Sequence, residues 1–314
     1  MSLLIIDRRD TKLDLTSGRL AIRVPDEPVR HVPIKLLDRM VVHAGIELSS
    51  RLLCALGNHG IPLLLFSPRR HQLAGVLMPS VHKDAGIRLG QFALVQDPAL
   101  CLRLARLLIR SRWRNLRRRQ RQALEDNPAL RRPLVAIGQS LADMSDGFGC
   151  VQNVDALRGL EGHLARQDFR LLAELLPESA GFAGRNRRPP RDPANALVSL
   201  GATLLVAEAT GAAWRCGLDP YIGFYHELAH GRPALACDLV EPLRPELHAW
   251  VAELFRSQTI RARDFGQDDE QGCRLAKAGR ERFYRAWGEW SREPVRRLVR
   301  YARGLARIAR KNRS

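Results

Sequence analysis

Four residues supply side chains from which metal chemistry is built. Glu161, His226, Asp238 and Glu241 offer three carboxylates and one imidazole. A Gly231-Arg232-Pro233 turn separates His226 from Asp238 and can fold the two sides together. Asp238 and Glu241 stand three residues apart and share a face in a helical turn. Mixed imidazole and carboxylate ligands suit Mg2+ or Mn2+ acting on a phosphodiester. Each residue also has an ordinary reading. Asp238-Leu239-Val240-Glu241 is a capping-box pattern, His226 fits a satisfied core histidine, and Glu161 fits a surface glutamate. Glu161 lies beside Leu157 and Leu160, at the edge of an apolar stripe that continues through Leu164, Leu171 and Leu175. Burying its charge there is costly unless it is paired or metal-bound. His163 falls farther round the helix and reads as exposed.

A second segment runs Arg185-Asn186-Arg187-Arg188-Pro189-Pro190-Arg191-Asp192-Pro193-Ala194-Asn195-Ala196. Its prolines stiffen a basic loop. Asp192 suits an N-cap and Pro193 the first helical position. Arginines leading into a helix N-terminus can seat a phosphate, although a capped helix after a solvated loop has the same pattern. The whole chain points the same way: 51 Lys and Arg stand against 33 Asp and Glu, a formal charge of +18. Such an excess suits a polyanion, with solubility as the bland alternative. Arg103, Arg106, Arg110, Arg112, Arg114, Arg117, Arg118, Arg119 and Arg121 fall in one helical stretch, and Arg296 to Arg313 form a second basic segment.

Other features narrow the class. Six scattered cysteines, without a CxxC pair, read as reduced, mostly buried thiols of a cytoplasmic protein rather than a zinc site. The N-terminus does not read as a signal peptide, and no apolar run approaches the roughly 18 residues that span a bilayer.

These residues need a scaffold, and periodicity supplies one. Leu3–Ile6, Lys12–Leu15, Leu20–Val24, His31–Ile34 and Met40–His43 read as strands, with a turn at 16–19. Ser49 to Asn58 has helical spacing, and strands follow at Ile61–Phe66 and Gln72–Met78. Helical spacing then dominates, over about 85–95, 98–124, 128–143, 153–175, 193–216, 220–229, 246–256 and 272–310, the last broken at Pro294. The expected class is α+β. An antiparallel β-sandwich-like domain over residues 1–84 precedes a larger all-α domain over 85–314.

The motifs form an ordered set. Gly159-Leu160-Glu161-Gly162 comes first, then the Pro-Pro-x-Asp-Pro-x-Asn-Ala helix start. Gly223-Phe224-Tyr225-His226 follows, then Gly231-Arg232-Pro233 leading to Asp238-Leu239-Val240-Glu241-Pro242-Leu243-Arg244-Pro245. Together with Leu56-Gly57-Asn58-His59-Gly60-Ile61-Pro62 in the strand region, this resembles the CRISPR-associated spacer integrase, the catalytic subunit of the CRISPR adaptation complex. The resemblance implies one Mg2+ or Mn2+ site formed by Glu161, His226 and Glu241, with Asp238 as a fourth ligand or close support. It implies an endonuclease and strand transferase that joins 3′-hydroxyl ends of short DNA to a repeat by transesterification and cuts branched DNA. It further implies a homodimer that works with a small ferredoxin-like subunit and no membrane. Arg185, Arg187, Arg188, Arg191, Asn195, Arg232 and Arg244 are the expected DNA contacts. Two rivals stay open: a non-catalytic nucleic-acid-binding protein whose acids are helix caps, and a stand-alone branched-DNA repair nuclease.

Overall fold

The structure is a computed structural model and describes residues 2–43, 45–67, 73–77, 82, 84–186, 189–268 and 272–312. The first part opens with β1 (Ser2–Ile6), β2 (Lys12–Thr16), β3 (Arg19–Arg23), β4 (Arg30–Pro33), β5 (Leu37–Val42) and the short β6 (Glu47–Leu48). Helix α1 (Ser50–Asn58), β7 (Leu63–Phe66) and β8 (Leu73–Leu77) complete it. One sheet has the order β4-β3-β2-β6, the other β1-β5-β7-β8. Leu13, Leu20 and Ile22 from the first sheet meet Ile6, Met40, Val42 and Leu63 from the second in one core, closed by Leu52 and Leu56 of α1. Alternation along β2 and β3 turns those apolar residues inward.

The expected antiparallel hairpin is present in β2–β3–β4. The second sheet is mixed: β1, β5 and β7 run parallel and only β8 is antiparallel. The cause is connectivity. β5 reaches β7 through α1, and a crossover of that kind returns the chain in the same direction.

The helical part contains α2 (Ala85–Val95), α3 (Pro98–Asp126), α4 (Arg131–Asp143), α5 (Gly147–Cys150), α6 (Val154–Leu175), α7 (Pro193–Arg215), α8 (Ala234–Val240) and α9 (Arg244–Arg256). A hairpin, β9 (Phe265–Asp268) with β10 (Gly272–Leu275), interrupts it before α10 (Lys277–Trp290) and α11 (Arg292–Lys311). The expected 272–310 helix therefore begins as a strand. Its break falls at Ser291, and Pro294 sits in the first turn of α11, where no intrahelical N–H is needed. The expected helix at 220–229 is absent, for a reason found in the site.

Helix α7 is long and apolar enough to cross a membrane by length and composition, with a mean hydropathy of 1.5, which the residue-by-residue reading did not anticipate. About two-thirds of that window is buried, and α8, α9 and α11 pack on it. The basic C-terminal segment is also docked: a Cβ on Gly90 of α2 would meet the Ala309 carbonyl oxygen at 1.9 Å, so only glycine permits α11 to lie this close. The two parts of the chain share a boundary. Arg39 of β5 forms a buried ion pair with Glu208 of α7, and Arg280 of α10 donates to Asp7 at 2.9 Å. Of the cysteines, Cys101, Cys216 and Cys273 are buried, whereas Cys54 and Cys150 are exposed.

Candidate active site

Helix α6 brings Glu161 to a cleft of about 470 Å³. The helix begins where the Asn153 side chain accepts from the Ala156 amide, and it buries Leu157, Leu164 and Leu171. Glu161, four residues after Leu157, stays half-buried at the edge of that stripe. His163 is half-buried rather than exposed, against Ser140 at 2.9 Å.

His226 reaches the same cleft from the loop after α7. Asp238 organises that loop. Its carboxylate is fully buried and accepts from the backbone N–H groups of Phe224 (2.8 Å), Tyr225 (3.2 Å) and His226 (2.9 Å). Amides captured this way cannot serve a helix, which explains why 220–229 is a loop. Asp238 lies inside α8 and binds amides 12 to 14 residues earlier rather than those of its own helical turn, so the capping-box reading does not hold. Gly223 is required here: a Cβ would meet Asp238 Oδ2 at 2.7 Å and the Ala234 backbone at 2.8 Å.

The His226 ring donates through Nδ1 to Asp238 Oδ1 at 2.6 Å. The other ring nitrogen, Nε2, faces Glu241 Oε1 at 3.7 Å. Glu241, at the C-cap of α8, is 2% exposed. Burial works to raise its carboxyl pKa, but Arg244, Arg112 and His226 outweigh burial and hold it at about 2.

Arg112 lies beneath both acids. Its Nη1 donates to Glu161 Oε1 at 2.6 Å and to Glu241 Oε2 at 2.7 Å, and Nη2 lies 3.4 Å from Asp168 Oδ2. His248 Nδ1 holds the other Asp168 oxygen at 2.9 Å. Burial opposes the charge on Asp168 most strongly, yet His248 and Arg112 together keep its carboxyl below the ordinary range. Arg112 belongs to the arginine-rich stretch of α3, but at 2% exposure it is part of the site rather than of a basic surface. Its helical position carried the signal. Ala105, Ile109 and Leu116 mark the buried stripe of α3, and Arg112 stands on that stripe. Asp168 shows the same pattern four residues after Leu164.

Arg158, Arg232 and Arg244 line the cleft, with Tyr225, Phe169 and His248. Arg191 is exposed, and Arg187 and Arg188 lie outside the described residues. Asn195 does not serve as a DNA contact. It is 0% exposed, and its amide accepts from Arg185 Nη1 (2.7 Å) and donates to Gly184 O and Asp192 Oδ2. It builds the loop instead, beneath the N-cap that Asp192 forms with the Asn195 amide at 2.8 Å. Arg185 is half-buried, bonded to Ser199 and placed over the Phe169 ring.

Among the described residues no three His, Cys, Asp or Glu groups converge closely enough to enclose a cation as they stand. The donor set still fits a hard divalent ion. Arg112 holds Glu161 Oε1 and Glu241 Oε2, Arg244 Nε donates to Glu241 Oε1 at 2.5 Å, and an imidazole fixed by a carboxylate turns Nε2 toward the cleft.

Comparison with known proteins decides the family. The sequence model described as CRISPR associated protein Cas1 matches residues 4–289. The chain belongs to the Cas1 family. Among curated relatives, a CRISPR-associated endonuclease Cas1 of Thermodesulfovibrio yellowstonii is 31% identical over 92% of this chain and 91% of its own. One from Thermus thermophilus is 35% identical over 86% and 78%. A Cas1 structure from Thermotoga maritima shares the fold with a TM-score of 0.81 at 19% identity, covering 98% of this chain and 97% of that one. A casposase bound to integration product aligns with a TM-score of 0.79 at 20% identity, over 98% and 91%. A Cas6-RT-Cas1–Cas2 complex gives 0.79 at 21%, over 99% of this chain and 35% of that one. The Cas1 family match spans both the strands and the cleft and ends before α11.

Proposed function

We propose that this Cas1 chain is a metal-dependent DNA endonuclease and strand transferase that joins 3′-hydroxyl ends of short DNA into a CRISPR repeat array. The observation that carries it is the directed pair in the cleft: His226 Nε2 faces Glu241 Oε1 at 3.7 Å while Asp238 holds the far side of the ring. Glu161, His226 and Glu241 would hold Mg2+ or Mn2+, with Asp238 as support. When bound, such an ion supplies charge stabilisation at a phosphate and eases loss of a hydroxyl proton.

The protein's own groups do the rest. Asp238 fixes the imidazole tautomer and ring plane. Arg112 neutralises two acids that otherwise repel, and with Arg244 it fixes the orientation of the Glu241 carboxylate. Arg232, together with Arg158 and Arg244, which also pair with Glu227 and Glu241, places guanidinium groups at the cleft for phosphate oxygens, where they position backbone without reading sequence. Relatives named endonucleases, and fold neighbours named for an integration product and for a complex with Cas2, support strand joining on DNA with a partner subunit. A purely binding protein has no need for an imidazole turned by a buried carboxylate toward a second acid.

The test is integration into supercoiled plasmid, with the small partner subunit present. Joining with Mn2+ or Mg2+ and none in EDTA is expected. Joining that persists in EDTA overturns the proposal.

A further inference from the structure

A groove of about 650 Å³ runs between α11 and the first part of the chain, apart from the cleft. Its helical wall carries Arg292, Arg296, Arg300, Arg303 and Arg307, and Arg215 at the end of α7 joins them. The opposite wall is the start of β5 and the loop at 59–62. None of these residues lines the cleft around Glu161, and α11 lies beyond the family match. We infer that this groove is a second nucleic-acid site, which seats the sugar-phosphate backbone of double-stranded DNA.

Spacing and charge carry the inference. The five α11 arginines recur at intervals of three and four, so they form one exposed row. The row spans roughly 22 Å at a rise of 1.5 Å per residue, about six phosphate steps of one strand. Like charges at these spacings repel, so the row destabilises the helix until counter-charge covers it. Three acids stand against the six arginines: Glu293 lies 3.9 Å from Arg296 and 3.8 Å from Arg300, Glu208 is taken by Arg39, and Asp38 lines the opposite wall. Among the described residues, Arg215, Arg292, Arg303 and Arg307 form no ion pair.

The same observations select the ligand. A basic amphipathic helix can lie on a membrane when its apolar face is available. Here Leu298, Ala302, Leu305 and Ala309 are buried and Val295 and Val299 are half-buried in the groove, so Ile308 is the exposed large apolar residue of α11 and its outer face is chiefly the arginine row. Single strands are held largely by base stacking on aromatic rings. Among the described residues, no Phe, Tyr or Trp lines the groove. Backbone of a duplex needs neither lipid-facing nor stacking groups.

The test uses the full chain in EDTA, with a labelled blunt duplex followed by fluorescence anisotropy between about 50 and 200 mM salt. Arg303→Glu/Arg307→Glu is compared with Arg131→Glu/Arg132→Glu, an equal charge change on the exposed start of α4. The groove variant is expected to lose at least tenfold in affinity and to flatten the salt slope by roughly two. The α4 variant should lose much less. Equal losses in both, or none in the groove variant, overturn the inference. An acidic protein partner, rather than DNA, is the occupant if duplex binding is untouched while assembly with the partner subunit is lost. The inference rests on a DNA-acting protein, and a wild type that binds no duplex defeats that broader reading instead.

Discussion

The His226 ring and the Asp238 carboxylate form a 2.6 Å hydrogen bond across twelve residues of chain, and the same carboxylate binds the amide that precedes the ring. Backbone and side chain of His226 are thus fixed by one buried acid. The loop, the ring plane and the tautomer become a single property. Asp238→Asn should therefore disturb the loop and turn the ring. Losing a carboxylate behind an imidazole ligand weakens metal binding about 10- to 100-fold. Mn2+ titration checks this, and unchanged affinity contradicts it.

Arg112 is expected to be the most stability-sensitive residue at the site. Arg112→Met leaves Glu241 and Asp168 buried without their shared cation, and breaking a buried pair typically costs about 3–5 kcal/mol. Arg112→Lys keeps the charge but cannot reach both carboxylates as a fork, so it should be milder. Urea unfolding ranks the two. Equal stability of Arg112→Met and wild type would show that the cluster contributes nothing.

Asn195 makes a complementary case. Its buried amide joins Arg185, Gly184 and Asp192. Asn195→Ala strands those partners, each worth about 1–3 kcal/mol when left unsatisfied. Melting should fall while duplex affinity stays within about twofold, since no phosphate contact is lost. An affinity loss without a stability loss would return Asn195 to the DNA surface.

Tyr225 gives an opposite sign. Its hydroxyl is buried in the described structure without a hydrogen-bond partner. Burial first, then Glu161 and Glu241, push the phenol well above its usual range, so it stays protonated. Tyr225→Phe removes an unsatisfied polar group and should leave stability unchanged or raise it, by up to about 1–3 kcal/mol. A clear loss in thermal melting would mean that the hydroxyl has a partner in solution.

Acid stability should report Glu246. Burial opposes its ionisation, but Arg297, Arg119 and Asn115 outweigh that and lower the carboxyl below 4.5. A depressed folded-state pKa contributes stability that is fully present above the unfolded value and disappears as pH falls through the folded one. The stability gap between wild type and Glu246→Gln should be constant above pH 4.5 and close in more acidic solution. Urea unfolding across pH measures it, and a gap that widens in acid contradicts the assignment.

The sequence exposed the elements that carry strong periodicity, such as α3, α6 and α7, because each buries a stripe of its own. It exposed the Asp192 cap because capping is local. The 220–229 loop was illegible because its amides are captured by Asp238, a contact that only the folded chain makes. Arg112 was hidden among nine arginines of one helix, although its place on the apolar stripe marked it. Asn195 stood in a basic motif whose role is to build the loop rather than to expose its amide. Glu161, His226 and Glu241 were visible as residue types, while the guanidinium beneath them was not.

Calorimetric titration of Mn2+ into wild type and His226→Ala tests the metal site most directly. One ion per chain is expected for the wild type, with binding lost or weakened at least tenfold in the variant and an unchanged melt in EDTA. Equal binding by both proteins, or no binding by the wild type, contradicts the proposed site.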